Sequence, residues 1–282
     1  MALLKDFFYQ PGGENLKGIS HKNVLLKQSI IAHMAVQGWC TLAELTKALH
    51  ISVPTMTKLV GELVEEGVVV DNGKVETAGG RRPNIFGLAN TAIYFTGVDI
   101  GRDYICMLVT DLKNNTITTK MHTPFTLSDD EACLNSICQI INAFLDDCGV
   151  ERSKILGMGV CIAGRVNPAT GHSYMFFTGS GKSLKENIEA ATGVTVLVEN
   201  DTRARCFAEY YSGDSVKEKN MLYLHLGKGV AIGIIADGKL YYGKSGFAGE
   251  FGHTPFFNNE IICSCGKKGC LETEVSGIAI EN

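Results

Sequence analysis

The chain contains no apolar run approaching the roughly 18 residues that a membrane span needs. Its opening MALLKDFFYQPGGENLKG carries an apolar patch too short and too interrupted for a secretion signal. Membrane and secreted classes are set aside, and the sequence reads as cytoplasmic. A disulfide framework is missing too. Seven of the ten cysteines (Cys40, Cys106, Cys133, Cys138, Cys148, Cys161 and Cys206) stand singly among apolar or helical neighbours, as buried free thiols do. Nor is there a strong charge of either sign: the formal net is −4 over 282 residues. A nucleic-acid reading therefore has to rest on where the basic residues fall, not on their number. What is present is the apolar and charged mix of globular proteins, in a chain long enough for two domains and a sizeable core.

The first ninety residues read as three short helices and a hairpin. In NVLLKQSIIAHMAVQGW, Leu26, Ile30, Ile31 and Met34 mark one helical face. Thr41 and Glu44 have the spacing of a capping box opening LAELTKALH. Ser52 is placed to cap a third helix with Pro54 in its first turn, and Met56, Leu59, Val60 and Leu63 form its inner stripe. The opposite face carries Thr55, Thr57 and Lys58 near the positive end of the helix dipole, which suits phosphates and base edges in a DNA major groove. Asp71-Asn72-Gly73 is a strong hairpin-turn signal after VVV, and the following strand carries Gly79-Gly80-Arg81-Arg82-Pro83. Three helices and such a hairpin predict a winged helix-turn-helix over residues 1–90, with Arg81 and Arg82 on the wing. The plainer alternatives are a packing module of three amphipathic helices and a solvated arginine pair.

From residue 91 the texture changes. Three β-like runs separated by Gly101-Arg102-Asp103 and Lys113-Asn114-Asn115 form a meander, after which helices and strands alternate to residue 282, predicting an α/β domain with a mixed sheet. The strand TVLVEN ends on Glu199-Asn200-Asp201, at the carboxyl edge where α/β folds bind ligands. Asn200 and Asp201 could meet hydroxyl groups there, or simply cap the next helix.

Cys263, Cys265 and Cys270 form the one cysteine group. A Cys-Ser-Cys pair, a third thiol five residues on, and Gly266 and Gly269 permitting left-handed turns suit a loop wrapped around an ion. His253 completes a Cys3His set of the closed, structural zinc type. Glu250 and Glu272 flank the loop, and two carboxylates beside an imidazole suit a polyhydroxylated ligand.

In combination, GVDIG (97–101), VENDTRA (198–204), AGEFGH (248–253) and CSCGKKGCLE (263–272) resemble the ROK family of repressors, sugar kinases and open reading frames. The resemblance covers essentially the whole chain, including a wing similar to GGRRP. It implies an actin-like, hexokinase-type ATPase fold, zinc on His253, Cys263, Cys265 and Cys270, and sugar contacts from Asn200, Asp201, Glu250, His253 and Glu272. It further implies operator DNA and a sugar effector as partners, in a homodimer or tetramer. In the family's kinases the residue matching Asp201 is the base that activates the sugar hydroxyl, with Mg-ATP as donor. Two turns depart from the kinase pattern. Gly101-Arg102-Asp103-Tyr104 and Gly227-Lys228-Gly229-Val230-Ala231-Ile232-Gly233 put bulky or charged residues where phosphates should approach closely. The family also continues well past Asn282, so the fold is expected to be incomplete at its C-terminus. The expectation is a sugar-responsive repressor, with a sugar kinase that keeps a DNA-binding module, and a DNA-binding protein whose later domain is a vestigial interaction scaffold, as rivals.

Overall fold

A computed structural model describes residues 19–74, 83–91, 93–212 and 218–281. The chain divides into two compact units. The first comprises Met1–Gly97, Leu108–Lys120 and Phe144–Met158, and the second Val98–Met107, Met121–Ala143 and Gly159–Asn282.

In the first unit, helix α1 (Ile19–Gln37) is followed by strand β1 (Cys40–Thr41), α2 (Leu42–Leu49) and α3 (Val53–Glu65). The capping box is present: Glu44 N donates to Thr41 Oγ1 (3.2 Å) while the Glu44 carboxylate accepts from Thr41 N (2.7 Å). Ser52 precedes α3 as expected, but its hydroxyl meets Thr55 Oγ1 (2.9 Å) instead of a backbone amide, so the side-chain cap expected there is not made. Ile30, Met34, Leu45, Met56, Leu59, Val60 and Leu63 pack into one core. Burying each such side chain is worth about 1.5–3 kcal/mol. Within it Lys27 of α1 places its ammonium 2.7 Å from both Glu62 and Glu66, an ion pair that fixes the first helix against the third.

The turn signal at Asp71-Asn72-Gly73 is not a turn. Strand β2 (Val69–Lys74) runs through it and pairs antiparallel with β3 (Asn84–Leu88), Asp71 opposite Phe86 and Lys74 opposite Asn84, with a register shift between. Gly73 takes φ +79° and donates its amide to Asp71 Oδ1 (2.9 Å), so the signal is spent on a bulge. Strand β1 pairs β3 on its other side, giving the order β1-β3-β2.

The meander is formed as expected by β4 (Tyr94–Ile100), β5 (Tyr104–Asp111) and β6 (Thr116–Pro124). After α4 (Glu131–Asp147), β7 (Ile155–Ile162) and β10 (Val196–Asn200) complete a five-stranded sheet of order β10-β7-β4-β5-β6. Between those two strands lie a short ribbon, β8 (Val166–Asn167) and β9 (His172–Ser173), and α5 (Leu184–Thr192).

In the second unit α6 (Asp201–Ser212) starts directly where β10 ends and packs Cys206 and Tyr210 on Ile235. Ile235 belongs to a sheet of β11 (Met221–Leu226), β12 (Val230–Ala236) and β13 (Lys239–Leu240). β11 is an edge strand and turns Leu222, Leu224 and Leu226 outward. The cysteine loop and two short helices, α7 (Glu272–Val275) and α8 (Gly277–Glu281), follow. No helix among the described residues is long and apolar enough to cross a membrane.

Candidate functional site

The loop AGEFGH is shaped by contact with β12. Gly249, at φ +95°, lies where a Cβ would meet Ile232 O at 2.0 Å, and a Cβ on Gly252 would meet Val230 O at 2.2 Å. Only glycine lets this loop lie flat on the strand, and the flat path aims Glu250 and His253 into a cleft. That cleft, of about 260 Å³, is lined by Asn200, Asp201, Glu250, His253 and Glu272, every one of the residues expected to meet sugar. It also takes in the turns 101–103 and 227–229.

The imidazole of His253 works from both edges. Nδ1 lies 3.3 Å from Cys263 Sγ, while Nε2 is 3.9 Å from Glu250 Oε2. Cys265 and Cys270 have their sulfurs 3.6 Å apart, and the four candidate ligand atoms all lie within 4.8 Å of one another. A tetrahedral zinc with Zn–S bonds of about 2.3 Å requires sulfur–sulfur edges near 3.8 Å. The donor set and spacing fit that ion, and all four positions would be filled by protein. The loop holds itself in shape: Cys263 N donates to Lys267 O (2.8 Å), Gly266 N to Cys263 O (2.8 Å), and Gly266 and Gly269 take φ +83° and +71°.

Glu272, just past the third cysteine, accepts from Val230 N (2.9 Å) and so ties the cysteine loop to β12. Asn200 is spent more fully than its sequence position implied. Its Oδ1 accepts from Arg203 N (3.0 Å), capping α6, and its Nδ2 donates to Gly164 O (2.9 Å). Asn200 thus caps the helix by hydrogen bonds and also lines the cleft. Asp201 Oδ1 accepts from Thr202 N (2.8 Å), and Oδ2 faces Arg205 NH1 at 3.7 Å.

Arg205, Asp99 and His225 were not singled out from sequence as site residues. The guanidinium of Arg205 reaches Asp99 Oδ2 (3.2 Å) and His225 Nε2 (3.2 Å), and the thiol of Cys161 donates to Asp99 Oδ1 (3.3 Å). Burial, then the neighbouring guanidinium, hold His225 below its ordinary pKa. Burial and the Asp99 carboxylate push the Cys161 thiol well up. The i,i+4 pair Asp201/Arg205 was the available signal. Also along the cleft, Lys228 Nζ contacts the Asp103 carboxylate, so the two turns expected to receive phosphate badly are joined to each other by an ion pair. The residues present do not fit Mg-ATP, because Asp99, Asp103 and Asp201 already have cationic partners.

Outside this cleft Arg203, buried, donates to Glu199 Oε1 (2.7 Å), Gly246 O (2.6 Å) and Val166 O (3.0 Å), holding the AGEFGH approach to β10. Tyr242 beside it has its phenol pushed up to about 12 by burial and Glu199.

Of the residues expected to meet DNA, Thr57 and Lys58 are exposed on α3 and Thr55 is half-buried. The Thr57 hydroxyl donates to Val53 O (2.9 Å), and the Lys58 ammonium stands 3.8 Å from Glu62. Arg81 and Arg82 lie outside the described residues.

The sequence pattern of the ROK family matches residues 95–282. A xylose repressor from Bacillus spizizenii is 30% identical over 242 residues, 84% of this chain and 62% of the relative, so the chain spans about three fifths of that protein's length. A crystal structure of a ROK family transcriptional regulator, a homologue of the E. coli MLC protein, superposes with a TM-score of 0.74 over 93% of this chain and 66% of its own. At 24% identity it shows the fold alone. A ROK family glucokinase from Streptomyces griseus, solved with glucose and AMPPNP, is 31% identical with a TM-score of 0.55 over 66% of this chain and 58% of its own. The fold is the mixed α/β fold of these proteins, and the chain belongs to the ROK family.

Proposed function

We propose that the protein is a sugar-responsive transcriptional repressor in which residues 1–90 bind operator DNA and residues 91–282 bind a sugar or sugar derivative. The observation that carries the reading is the convergence of Asn200, Asp201, Glu250, His253 and Glu272 on one cleft. In that cleft Asp201 is already paired with Arg205, and Lys228 already pairs with Asp103. Carboxylates accept hydrogen bonds from neighbouring hydroxyls and a metal-bound imidazole donates one, whereas turns already paired with each other are a poor phosphate cradle. Similarity to a xylose repressor supports the same choice. The Cys3His set holds zinc as a structural ion that fixes Glu250, His253 and Glu272 around the ligand. The first three helices and the β1-β3-β2 sheet are the winged helix-turn-helix, with Thr55, Thr57 and Lys58 of α3 and Arg81 and Arg82 of the wing as its DNA contacts. The working form is a homodimer or tetramer, and sugar binding shifts the geometry of its DNA-binding units.

The test is a thermal-shift screen of the zinc-loaded protein against a sugar panel, followed by operator binding with and without the hit. A ligand present at 100 times its Kd stabilises the fold by about 2.7 kcal/mol. A sugar that raises the melting midpoint and lowers DNA affinity, both lost in Glu250→Gln, is the expected result. A sugar that binds but leaves DNA affinity unchanged favours a scaffold. ATP-dependent phosphorylation abolished by Asp201→Asn favours the kinase, the reading that similarity to a glucokinase keeps in view.

A further inference from the structure

Asp99 is the penultimate residue of its strand, Asp201 opens its helix at the cleft, and between their carboxylates lies the guanidinium of Arg205, which lines the cleft. Arg205 NH2 is 3.2 Å from Asp99 Oδ2, NH1 is 3.7 Å from Asp201 Oδ2, and NH1 is 3.2 Å from His225 Nε2. Two carboxylates converging from separate elements are how proteins hold a hard divalent cation beside a phosphate donor. We infer that Arg205 is a built-in counter-cation, occupying the position a divalent metal ion would need between Asp99 and Asp201 and committing the cleft to ligands bound without metal.

The other carboxylate oxygen of each aspartate is engaged as well. Asp99 Oδ1 accepts from the Cys161 thiol, and Asp201 Oδ1 from Thr202 N and Asn200 Nδ2. A magnesium ion needs ligand oxygens at about 2.0–2.1 Å in near-octahedral array. It would have to displace a charge that never titrates away. His225 is a poor compensating cation, because burial and Arg205 itself lower its pKa. The neighbouring arginine serves elsewhere. Arg203 is buried and engaged with Glu199 and two carbonyls, leaving Arg205 to face the cleft. The same substitution of side chain for metal recurs where Lys228 meets Asp103. Arg205 is thus a positioning residue. It orients Asp201 as a hydrogen-bond acceptor for hydroxyls and removes the metal that phosphoryl transfer requires.

The inference deepens the sensor reading, and its test is independent of any sugar. Zinc-loaded full chain is titrated with Mn(II), the free ion being followed by its electron paramagnetic resonance signal; Mn(II) seeks oxygen ligands and leaves the thiolate set to zinc. Wild type and Asp99→Asn should bind Mn(II) alike. Arg205→Gln should gain a site that the Asp99→Asn/Arg205→Gln double variant loses. Wild-type binding that Asp99→Asn abolishes overturns the inference, as does a folded Arg205→Gln that gains nothing. Should Arg205→Gln fail to fold, the comparison of wild type with Asp99→Asn decides alone: equal binding supports the inference and loss of binding overturns it. A sugar that shifts the wild-type melt in magnesium-free buffer keeps the sensor reading standing whichever way the Mn(II) titrations fall.

Discussion

Nε2 of His253 stands 3.9 Å from the Glu250 carboxylate, on the ring edge opposite the nitrogen that lies 3.3 Å from Cys263 Sγ. One imidazole therefore links the cysteine loop to the cleft. A metal on Nδ1 leaves the proton on Nε2, so the ring presents a donor, and Glu250 an acceptor, to the same ligand.

Metal removal is the first consequence. Chelation of the purified protein should release about one zinc per chain and lower the melting midpoint, because the loop has little apolar core of its own and metal binding supplies its folding free energy. Cys263→Ser should do the same without chelator. Metal analysis with a melt checks both, and a chelated protein that melts unchanged contradicts the zinc assignment.

Gly252→Ala should cost about 2 kcal/mol or more, since the added methyl lies 2.2 Å from Val230 O and backbone must move to admit it. Denaturant unfolding measures the cost. Loss of sugar response at temperatures where the variant is still folded would follow from the displaced Glu250 and His253.

Thr41→Ala removes one half of a closed capping box and should cost about 1 kcal/mol. The partner carboxylate of Glu44 is held below its ordinary range by the Thr41 amide and hydroxyl. A depressed folded-state pKa stabilises at neutral pH and is lost as the pH falls through it. The deficit of Thr41→Ala relative to wild type should therefore shrink in acid, which melts across pH 3–7 would detect.

His225 has its folded pKa lowered, first by burial and then by Arg205. Its contribution is present above the unfolded value of about 6.5 and declines as pH falls from there, since the unfolded state takes up the proton first. Replacement by Gln should flatten the acid-side loss of stability, and an unchanged profile would show that His225 titrates normally.

Arg81→Ala with Arg82→Ala should weaken operator binding and reduce the salt dependence of its logarithm by about 0.9 for each phosphate no longer neutralised. Anisotropy titrations at several salt concentrations measure both quantities. An unchanged slope would remove these residues from the wing assignment.

Much of the protein is written in local spacing. The inner stripe of α3, the capping box at Thr41 and Glu44 and the meander turns depend on residues a few positions apart, and the Cys3His set on residues no more than 17 apart, where helix period, turn chemistry or ligand geometry acts directly. Local signals mislead only where two uses compete. Asp71-Asn72-Gly73 serves a bulge instead of a turn, and Ser52 bonds Thr55 in place of an amide. The electrostatic character of the cleft is different in kind. Arg205 and Asp99 lie 106 positions apart, and Lys228 and Asp103 lie 125 apart. No periodicity spans such distances. Chain crossing brings each cation to its carboxylate, and a guanidinium a few ångströms from two aspartates takes the place a metal ion between them would need.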